Sequence, residues 1–396
     1  MTTVRTQVGI LGAGPAGLLL GQMLAEAGIE SVIIDNRDRD AIEHTIRAGI
    51  LEQGTVEVLD AYVPGHRART VGARHEGIEL NFDGAGHRID FADLVGRAVW
   101  LYPQHEVLID LLAAADARGA DVRLETTAKD VVDLDTATPR ILAETAAGEP
   151  LEIVADYVVG ADGTRGISRG LVNETRRDGF FREYPFAWFG ILTESAPSAP
   201  ELIYAAGEHG FALISQRSET VQRLYLQSDP ELDPQAMGDE EIWDALQQRV
   251  PGTELQRGPI FQRDVLKFRS FVAAHLRRGR MFLVGDSAHT VPPTGAKGMN
   301  VAVADVVLLA EALRAALRDG DAAGLDDYET AALDRIWKAQ HFSYWMTSML
   351  HAAPGEEEFT RRRRYAELRT IVESRAGSTY LAEGYTGWPL AGFSAK

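Results

Sequence analysis

The stretch that decides the fold is Thr6–Asp35, TQVGILGAGPAGLLLGQMLAEAGIESVIID. Its apolar ends, VGIL and VII, are typical of buried parallel strands, and the segment between them is typical of a helix. Gly12, Gly14 and Gly17 stand between the first strand and the helix with the spacing G-x-G-x-x-G. These glycines allow a tight turn, a close approach of the backbone to a pyrophosphate, and close packing of helix on strand. The stretch therefore predicts a βαβ unit that binds a dinucleotide.

An acidic residue ends the second strand of this unit. Asp35 lies 18 residues after Gly17, where a carboxylate accepts hydrogen bonds from the hydroxyls of a ribose. Two alternatives are a glycine-rich turn that binds nothing and a signal peptide. Residues 8–25 carry no charge, but the glycines and Pro15 interrupt any continuous apolar helix. We therefore expect dinucleotide binding and no export.

Composition narrows the class of protein. The chain has 396 residues, 45% of them hydrophobic and 25% charged, as in ordinary globular proteins with two or three domains. Its formal net charge of −18 opposes binding to nucleic acids and to anionic membranes. It has no cysteine, and its 10 histidines show no metal-binding spacing. We expect a cytoplasmic protein without a metal site, a nucleic-acid partner or a membrane partner.

The pattern of apolar and polar residues changes at two points along the chain. Residues 175–275 contain aromatic, alternating segments such as FAWFGILTE and QRLYLQS, which are typical of an antiparallel sheet. Phe282–Asp286, FLVGD, reads as a strand that returns to the nucleotide-binding domain, and helices follow it. We predict an α/β fold in which a Rossmann-like domain, residues 1–174, is interrupted by a substrate-binding sheet domain, residues 175–275. Residues 276–396 would complete the first domain and add C-terminal helices.

Three sequence motifs narrow the family. They are GAGPAG at Gly12–Gly17, ADGTRGISR at Ala161–Arg169, and LVGDSAHTVPPTGAKGMN at Leu283–Asn300. In this order they resemble the group A flavoprotein aromatic hydroxylases, and the resemblance covers essentially the whole chain. RAGILEQG at Arg47–Gly54 and RIWKAQHFSYWMTSMLH at Arg335–His351 bring the chain nearest to members that act on 4-hydroxybenzoate.

The resemblance implies an activity and its partners. It implies a bound FAD, with NADH or NADPH and O₂ as co-substrates, in a homodimer. It implies hydroxylation of 4-hydroxybenzoate to 3,4-dihydroxybenzoate through a flavin C4a-hydroperoxide. A related aromatic acid, such as 4-aminobenzoate or a dihydroxybenzoate, stays open as the substrate. A flavin-dependent halogenase is disfavoured because no W-x-W-x-I-P string occurs. A flavin-binding protein without activity is disfavoured because it would not need the substrate residues named below.

The resemblance also assigns residues to the cofactor. Those implied for FAD are Gly12, Gly14, Gly17, Asp35, Arg47, Gln104, Asp162, Asp286, Gly298, Met299 and Asn300. Asp286 ends an apolar strand, where it would accept hydrogen bonds from the ribityl chain, a role compatible with a helix N-cap. Backbone N–H groups of the PPTGAKGMN segment would stabilise negative charge on the reduced flavin ring. Arg223 is implied in movement of the flavin.

A second set is implied for the substrate. It comprises Ser215, Arg217 and Tyr225 around a carboxylate, Tyr204, Tyr385 and Pro293 at the phenol, and His75 at the solvent end of a proton relay. An arginine in a mostly apolar pocket favours a carboxylate because bidentate hydrogen bonds fix the ligand's orientation. A phenol becomes a better nucleophile as it loses its proton, and tyrosine hydroxyls can relay that proton.

A third set concerns the nicotinamide coenzyme, for which the candidates are Arg37, Arg47, Arg165 and Arg269. The resembling NADPH users carry a tyrosine and an extra arginine where this chain has Ala41 and Thr45. Residues 35–45 hold four acids and two arginines, a balance that opposes a 2′-phosphate. We therefore expect NADH to be accepted at least as well as NADPH.

Overall fold

The computed structural model describes residues 2–44 and 49–393. The strands are β1 Thr2–Leu11, β2 Ser31–Ile34, β3 Ile50–Glu52, β4 Ala73–His75, β5 Gly77–Phe82, β6 Ala85–Asp90, β7 Val99–Leu101, β8 Asp121–Arg123, β9 Thr127–Val132, β10 Arg140–Glu144, β11 Pro150–Gly160, β12 Gly179–Glu194, β13 Leu202–Gly207, β14 Gly210–Gln216, β15 Val221–Ser228, β16 Ile260–Ala273, β17 Arg277–Arg278, β18 Met281–Leu283 and β19 His289–Thr290. The helices are α1 Pro15–Glu26, α2 Arg39–Glu43, α3 Gln53–Tyr62, α4 Phe91–Val95, α5 Gln104–Arg118, α6 Ser168–Val172, α7 Asp239–Arg249, α8 Gly298–Arg314, α9 Ala323–Leu350, α10 Glu358–Glu373 and α11 Arg375–Thr386.

The first sheet contains the predicted βαβ unit. Its strand order is β17-β18-β11-β1-β2-β8, and β1 runs parallel to both β2 and β11. β9 and β10 extend it beside β11 as antiparallel strands. Helices α1, α5 and α8 pack together against this sheet, and Val8, Ile10 and Leu18 are buried in its core. The predicted α/β class with a Rossmann-like nucleotide domain is confirmed.

The second sheet has the order β19-β16-β12-β15-β14-β13-β5-β6. Its two faces belong to different hydrophobic clusters because successive side chains of a strand point to opposite faces. Ile203, Ile214 and Leu224 pack with α7 on one face. Tyr204 and Tyr225 pack on the other face with side chains of α9, α10 and α11. One face is therefore a closed apolar core, and the opposite face looks toward the C-terminal helices.

The second sheet also takes in a hairpin from earlier in the chain. Residues 68–92 alternate apolar and polar side chains, as in ARHEGIELNFDG, which predicts a hairpin, and β5 and β6 form it. β5 then pairs in parallel with β13, so the sheet extends beyond the predicted segment 175–275. The domain boundaries themselves stay a prediction. None of the helices among the described residues combines the length and the apolar run that crossing a bilayer requires.

A small third sheet lies between the two larger ones, with the order β3-β7-β4. Buried residues of β7 belong to both neighbouring cores, Trp100 to the first and Val99 to the second. Glu52 and His75 are the last residues of the two outer strands, and both pair in register with Val99. The sheet thereby carries two buried polar side chains into the region where the domains meet.

Candidate active site

The glycine-rich turn has the geometry expected for a pyrophosphate. Gly12 adopts φ +107°, which favours glycine, and a Cβ on Gly17 would collide with the Gly12 carbonyl oxygen. Gly14 precedes α1, and no described side chain caps the first turn of that helix. Its N–H groups and the positive end of its dipole are therefore available to an anion. The turn fits the phosphates of a dinucleotide.

Asp35 is already surrounded by donors. Its Oδ2 accepts from the Ala13 N–H at 2.8 Å and from Arg37 Nη2 at 2.8 Å, and its Oδ1 accepts from the N–H and the Nε of Arg37, both at 2.9 Å. Burial alone would raise the pKa of Asp35, but the hydrogen bonds and the charge of Arg37 outweigh it and hold this pKa below its ordinary value. A ribose at Asp35 must therefore share the carboxylate with Arg37 or displace its side chain.

The second and third motifs meet at the carboxyl ends of two neighbouring strands of the first sheet, β11 and β18. Gly160 of β11 and Leu283 of β18 are neighbours in register, so the segments that follow them lie side by side. Arg169 joins these segments, donating from Nε to the Ser287 carbonyl at 2.8 Å and from Nη2 to the Asp286 carbonyl at 2.7 Å. Arg169 belongs to the second motif, but no sequence pattern distinguishes it as the residue that joins the two segments.

Asp162 follows β11 in the same region, and only one of its two carboxylate oxygens accepts a hydrogen bond from the described residues. Its Oδ2 accepts from the Ser168 N–H at 3.0 Å, while its Oδ1 is buried without a partner among residues 2–44 and 49–393. Burial raises the pKa of Asp162 above its ordinary value. A buried acceptor without a donor favours a hydroxyl-bearing ligand at this point.

The N-terminus of α8 brings the PPTGAKGMN segment together. Gly298 and Met299 open the helix, and no described side chain caps it. The side chain of Asn300 is fully used within the protein. Its Oδ1 accepts from the Glu52 N–H at 2.9 Å and the Thr55 hydroxyl at 2.7 Å, and its Nδ2 donates to the carbonyls of Ile50 and Ala296. The predicted flavin contact of Asn300 is thus left to its backbone.

A buried lysine supports the same region. Lys297 Nζ donates to Glu52 Oε1 at 2.5 Å and to the Tyr385 carbonyl at 3.0 Å, and both side chains are almost fully buried. Burial lowers the pKa of Lys297, and the charge of Glu52 opposes that shift. The pair ties α8 to β3 and to α11, which carries Tyr385. Glu52 is a second residue that sequence reasoning missed, although it lies within the quoted string RAGILEQG.

Two tyrosines meet below the second sheet. The hydroxyls of Tyr204, on β13, and Tyr385, on α11, lie 2.7 Å apart, and each side chain is 1% exposed. The Tyr204 hydroxyl also lies 3.4 Å from the Thr294 carbonyl oxygen. Burial raises the pKa of both phenols above the ordinary value. Both tyrosines therefore stay neutral, and they can pass a proton only by accepting one and donating another.

The three residues predicted for a carboxylate lie on the same sheet face as Tyr204. Leu213 is the register neighbour of both Tyr204 and Tyr225, and Ser215 and Arg217 follow it at alternate positions along β14 and its end. Arg217 is half-buried, and its guanidinium forms no ion pair with any carboxylate of the described residues. Its Nη2 donates instead to His105 Nδ1 at 3.1 Å. Burial raises the pKa of Tyr225 to about 12.

The strand register fixes the distance between Tyr204 and Arg217. Tyr204 lies one strand across from Leu213, and Arg217 lies four residues beyond Leu213. Strand spacing and rise give about 14 Å between the Cα atoms of Tyr204 and Arg217. A ligand that contacts both side chains must therefore carry polar groups at opposite ends.

The remaining substrate residues are placed less directly. Pro293 begins a short 3₁₀ turn, and its carbonyl oxygen accepts from the Ala296 N–H at 2.9 Å. His75 is 2% exposed, and neither ring nitrogen has a partner in the described part of the chain. Burial lowers the pKa of His75 to about 4, and the charge of Glu201 opposes the shift. No hydrogen bond between described residues joins His75 to either tyrosine.

Arg223 lies beside the residues that are predicted to bind the substrate carboxylate. Its Nη2 donates to Asp264 Oδ2 at 3.3 Å, and its guanidinium carbon lies 5.2 Å from the centre of the Tyr225 ring. Its Nη1 is buried without a partner among the described residues. The Ser215 hydroxyl donates to the Arg223 carbonyl at 2.6 Å. Arg223 is thus only partly satisfied.

The coenzyme candidates fall into two groups. Arg37 is bound to Asp35, as described, whereas Arg165 and Arg269 are exposed near the second motif. Arg47 and Thr45 lie outside the described residues. Gln104, predicted to contact the flavin, is the first residue of α5 and is half-buried.

The fold and the site define the class. Among the described residues, the glycine-rich turn, the Asp162 oxygen without a donor and the start of α8 without a side-chain cap fit a dinucleotide cofactor. A family model described as "FAD binding domain" matches residues 5–343. The chain therefore belongs to this FAD-binding family, and specifically to its FAD-dependent aromatic hydroxylases, as the relatives below establish.

One relative covers almost the whole chain. The chain is 40% identical over 393 residues to the p-hydroxybenzoate hydroxylase of Acinetobacter baylyi, spanning 98% of this chain and 97% of that one. It is 27% identical over 338 residues to the 3-(3-hydroxy-phenyl)propionate/3-hydroxycinnamic acid hydroxylase of Mycolicibacterium smegmatis, spanning 81% and 57% respectively. The crystal structure of p-nitrophenol 4-monooxygenase from Pseudomonas putida shares the fold, with a TM-score of 0.83, 20% identity, and coverage of 98% and 99%.

Proposed function

We propose that this enzyme hydroxylates 4-hydroxybenzoate beside its phenol group and releases 3,4-dihydroxybenzoate. The observation that carries the proposal is the pairing of two unlike polar groups on one sheet face. At one end stands a guanidinium that pairs with no carboxylate of the described residues, and at the other stand two buried tyrosine hydroxyls. An aromatic ring with a carboxylate and a para hydroxyl satisfies both ends. The relative that covers nearly the whole chain is a p-hydroxybenzoate hydroxylase.

Arg217 would bind and orient the substrate carboxylate, assisted by the hydroxyls of Ser215 and Tyr225. A guanidinium presents two parallel N–H donors to a carboxylate, which fixes both the position and the tilt of the ring. The Ser215 hydroxyl donates to the Arg223 carbonyl, so it would turn its proton toward the carboxylate when substrate binds. The raised pKa of Tyr225 keeps its hydroxyl a donor for the carboxylate at neutral pH.

The tyrosine pair would take the phenol proton. The phenol would donate to Tyr204, Tyr204 to Tyr385, and Tyr385 would pass a proton on to the outer acceptor of the relay, so that neither tyrosine keeps a charge. We place His75 at the outer end of this relay and the Pro293 carbonyl beside the phenol. His75 suits the role because both of its ring nitrogens lack a partner among the described residues, and a pKa of about 4 keeps it a neutral acceptor.

Bound FAD supplies the redox chemistry, using electrons from a nicotinamide coenzyme and one oxygen atom of O₂, with the other atom leaving as water. The residues that would hold it are the turn Gly12–Gly17, Asp35, Asp162, Asp286 and the start of α8. The protein must also keep water away from the reacting atoms. Buried side chains around the tyrosine pair serve that purpose, among them Phe211, Phe342 and Met346.

Arg223 would favour movement of the flavin between a buried and an exposed position. Its Nη1, which is buried without a partner in the described part of the chain, supports the idea, because a partly satisfied guanidinium gains by exchanging partners. The Arg223→Lys variant should change the rate of flavin reduction by NADH more than the affinity for substrate. Equal effects on both quantities would argue for a plain structural role.

We infer that NADH serves at least as well as NADPH. Of the arginines available for a 2′-phosphate, Arg37 is bound to Asp35, and Arg39 is paired with Glu43 at 3.1 Å and with Asp116 at 2.7 Å. The exposed Arg165 and Arg269 would serve the pyrophosphate, which both coenzymes share. We also infer a cytoplasmic location, where reduced nicotinamide is available.

We further infer a homodimer. Phe180 and Trp337 are 60% and 44% exposed and stack edge to face with ring centres 5.3 Å apart. Nearby, the guanidinium of Arg182 lies 4.8 Å from the centre of the exposed Tyr344 ring. An exposed aromatic patch of this kind favours an interface between copies. Trp337→Asp should halve the mass measured by light scattering, and an unchanged dimer would exclude this surface.

The function is tested by substrate-stimulated oxidation of NADH and NADPH with the purified, FAD-loaded enzyme. The assay compares 4-hydroxybenzoate, 4-aminobenzoate, a dihydroxybenzoate and benzoate, with product identification by mass spectrometry. We expect one 3,4-dihydroxybenzoate per NAD(P)H from 4-hydroxybenzoate, and no hydroxylated product from benzoate. Coupled hydroxylation of another acid, with none of 4-hydroxybenzoate, would overturn the substrate assignment.

A further inference from the structure

A histidine occupies the position of a ligand on the proposed carboxylate residue. Arg217 lies at the end of β14 in the second sheet, and His105 lies in the first turn of α5 beside Gln104. Arg217 Nη2 is 3.1 Å from His105 Nδ1. No carboxylate of the described residues pairs with Arg217, and this ring nitrogen is its side-chain partner.

The contact fixes the protonation state of the histidine. A guanidinium donates and cannot accept, so His105 Nδ1 must carry a lone pair. The ring is then neutral, with its proton on Nε2, which faces Glu106 Oε1 at 3.3 Å. Glu106 is held in turn by Arg67, whose Nη2 donates to Glu106 Oε2 at 2.7 Å. The imidazole is thus held between a donor on one side and an acceptor on the other.

Charges around the ring act against its protonation. Burial, first, and then the charge of Arg217 lower the pKa of His105, and the charge of Glu106 opposes them. The charges of His44, after α2, and of Arg67 lower it further. A proton on Nδ1 would remove the acceptor of Arg217 and place a second positive charge beside it.

We propose that His105 is a positioning residue that holds Arg217 in place before substrate binds. When an aromatic carboxylate replaces His105 as the partner of Arg217, His105 takes up a proton. This inference rests on the proposed role of Arg217 as the carboxylate ligand. An incoming carboxylate takes over the N–H donors of Arg217 and cancels its charge. The released Nδ1 then faces a negative group, so that a proton from solvent is stabilised there and makes His105 a second donor to the ligand.

Linkage gives the sign of the pH dependence. Substrate raises the pKa of His105 from its lowered value, so the bound state holds more protons between the two pKa values. The affinity for an aromatic carboxylate must therefore increase as pH falls through this window, by at most about tenfold per pH unit. A histidine with a purely structural role would change affinity by the same factor at every pH.

The experiment measures proton uptake directly. Isothermal titration of the FAD-loaded enzyme with benzoate, in two buffers of different ionisation enthalpy between pH 5.5 and 8, gives the number of protons bound per ligand. Benzoate has no phenol and stays ionised in this range, so its own titration does not contribute. We expect the wild type to take up a substantial fraction of one proton in the acid half of the range.

Two variants complete the test. His105→Gln keeps a hydrogen-bond acceptor for Arg217 but does not titrate, so uptake should vanish and the affinity should become independent of pH. His209→Gln, an exposed histidine at the tip of the β13–β14 hairpin, should behave as the wild type. Uptake that persists in His105→Gln, or a wild type without uptake, would overturn the inference.

Arg217→Ala separates this inference from the proposed function. If that variant keeps full benzoate affinity, Arg217 is not the carboxylate ligand, and the proposed substrate site fails. If it loses affinity while His105→Gln still takes up a proton, the substrate site stands and only the role of His105 is wrong.

Discussion

The two faces of the second sheet are built from the same strands and pack against different parts of the protein. Ile203 and Ile214 pack against α7 in a closed apolar cluster, whereas the adjacent residues Tyr204 and Ser215 face the C-terminal helices. The second face also carries Arg217, whose partner among the described residues is a histidine and not a carboxylate. Because side chains alternate along a strand, residues of the apolar core and residues of the proposed substrate site are separated by single positions. Substitutions at neighbouring positions should therefore have unlike effects.

The largest effect is expected at the tyrosine pair. Tyr204→Phe removes the hydroxyl that lies 2.7 Å from Tyr385 but keeps the ring in its packing. Substrate should still bind and stimulate NADH oxidation, while product formation falls by about 10²–10⁴-fold because the phenol proton has no acceptor. The electrons should appear as H₂O₂, measured by a peroxidase-coupled assay. Fully coupled hydroxylation in this variant would exclude the relay.

The next effect is the loss of the guanidinium from the same face. Arg217→Ala should weaken benzoate binding by about 2–5 kcal/mol, because a desolvated carboxylate would lose its charged partner. Changes in flavin absorbance during titration with benzoate measure the dissociation constant. Arg217→Lys is the matched control, because it keeps the charge but loses the bidentate geometry. Its affinity for benzoate should lie between those of the wild type and Arg217→Ala. Unchanged affinity in Arg217→Ala would remove Arg217 from the site.

Adjacent residues of β14 test the separation of the two faces. Ile214→Val should lower the free energy of unfolding by about 1 kcal/mol through the lost methylene, and leave benzoate affinity unchanged. Ser215→Ala, one residue further, should weaken benzoate binding by about 1 kcal/mol and change stability less. Urea denaturation and benzoate titration of both variants give the four numbers. An equal pattern in the two variants would mean that the faces are not functionally distinct.

The sequence predicted most of the fold for a physical reason. The parallel unit at β1, α1 and β2 depends on local features, namely two apolar strands and glycines at fixed spacing. The antiparallel sheet depends on alternation, which is also local. The pairing of β5 with β13 is not, because it joins residues more than 120 positions apart, and no periodicity identifies the partner of a strand. The hairpin was predicted, but its place in the second sheet was not.

The candidate site divides in the same way. Tyr204 and Tyr385 were proposed together from family resemblance, and their hydroxyls meet. The contact of Arg217 with His105 joins the two domains and has no local signal, since His105 follows Gln104 as an ordinary residue at a helix start. The state of Asp35 also escaped prediction, because the geometry of the Arg37 side chain, and not its spacing, fills the carboxylate.

The smallest effect concerns the coenzyme, and it extends the comparison to the nucleotide domain, where the arginines do have carboxylate partners. Arg37 and Arg39 are engaged by Asp35, Glu43 and Asp116, so a 2′-phosphate would have to break an ion pair to gain one. The exchange gives little net energy because the pairs are partly exposed.

We expect kcat/KM for NADH, at saturating 4-hydroxybenzoate, to equal or exceed that for NADPH. Asp116→Asn releases one partner of Arg39 and should shift the ratio toward NADPH, whereas Asp121→Asn, which removes the partner of Arg123 instead, should not. A preference for NADPH of tenfold or more in the wild type, about 1.4 kcal/mol, would mean that these arginines leave their carboxylates for the coenzyme.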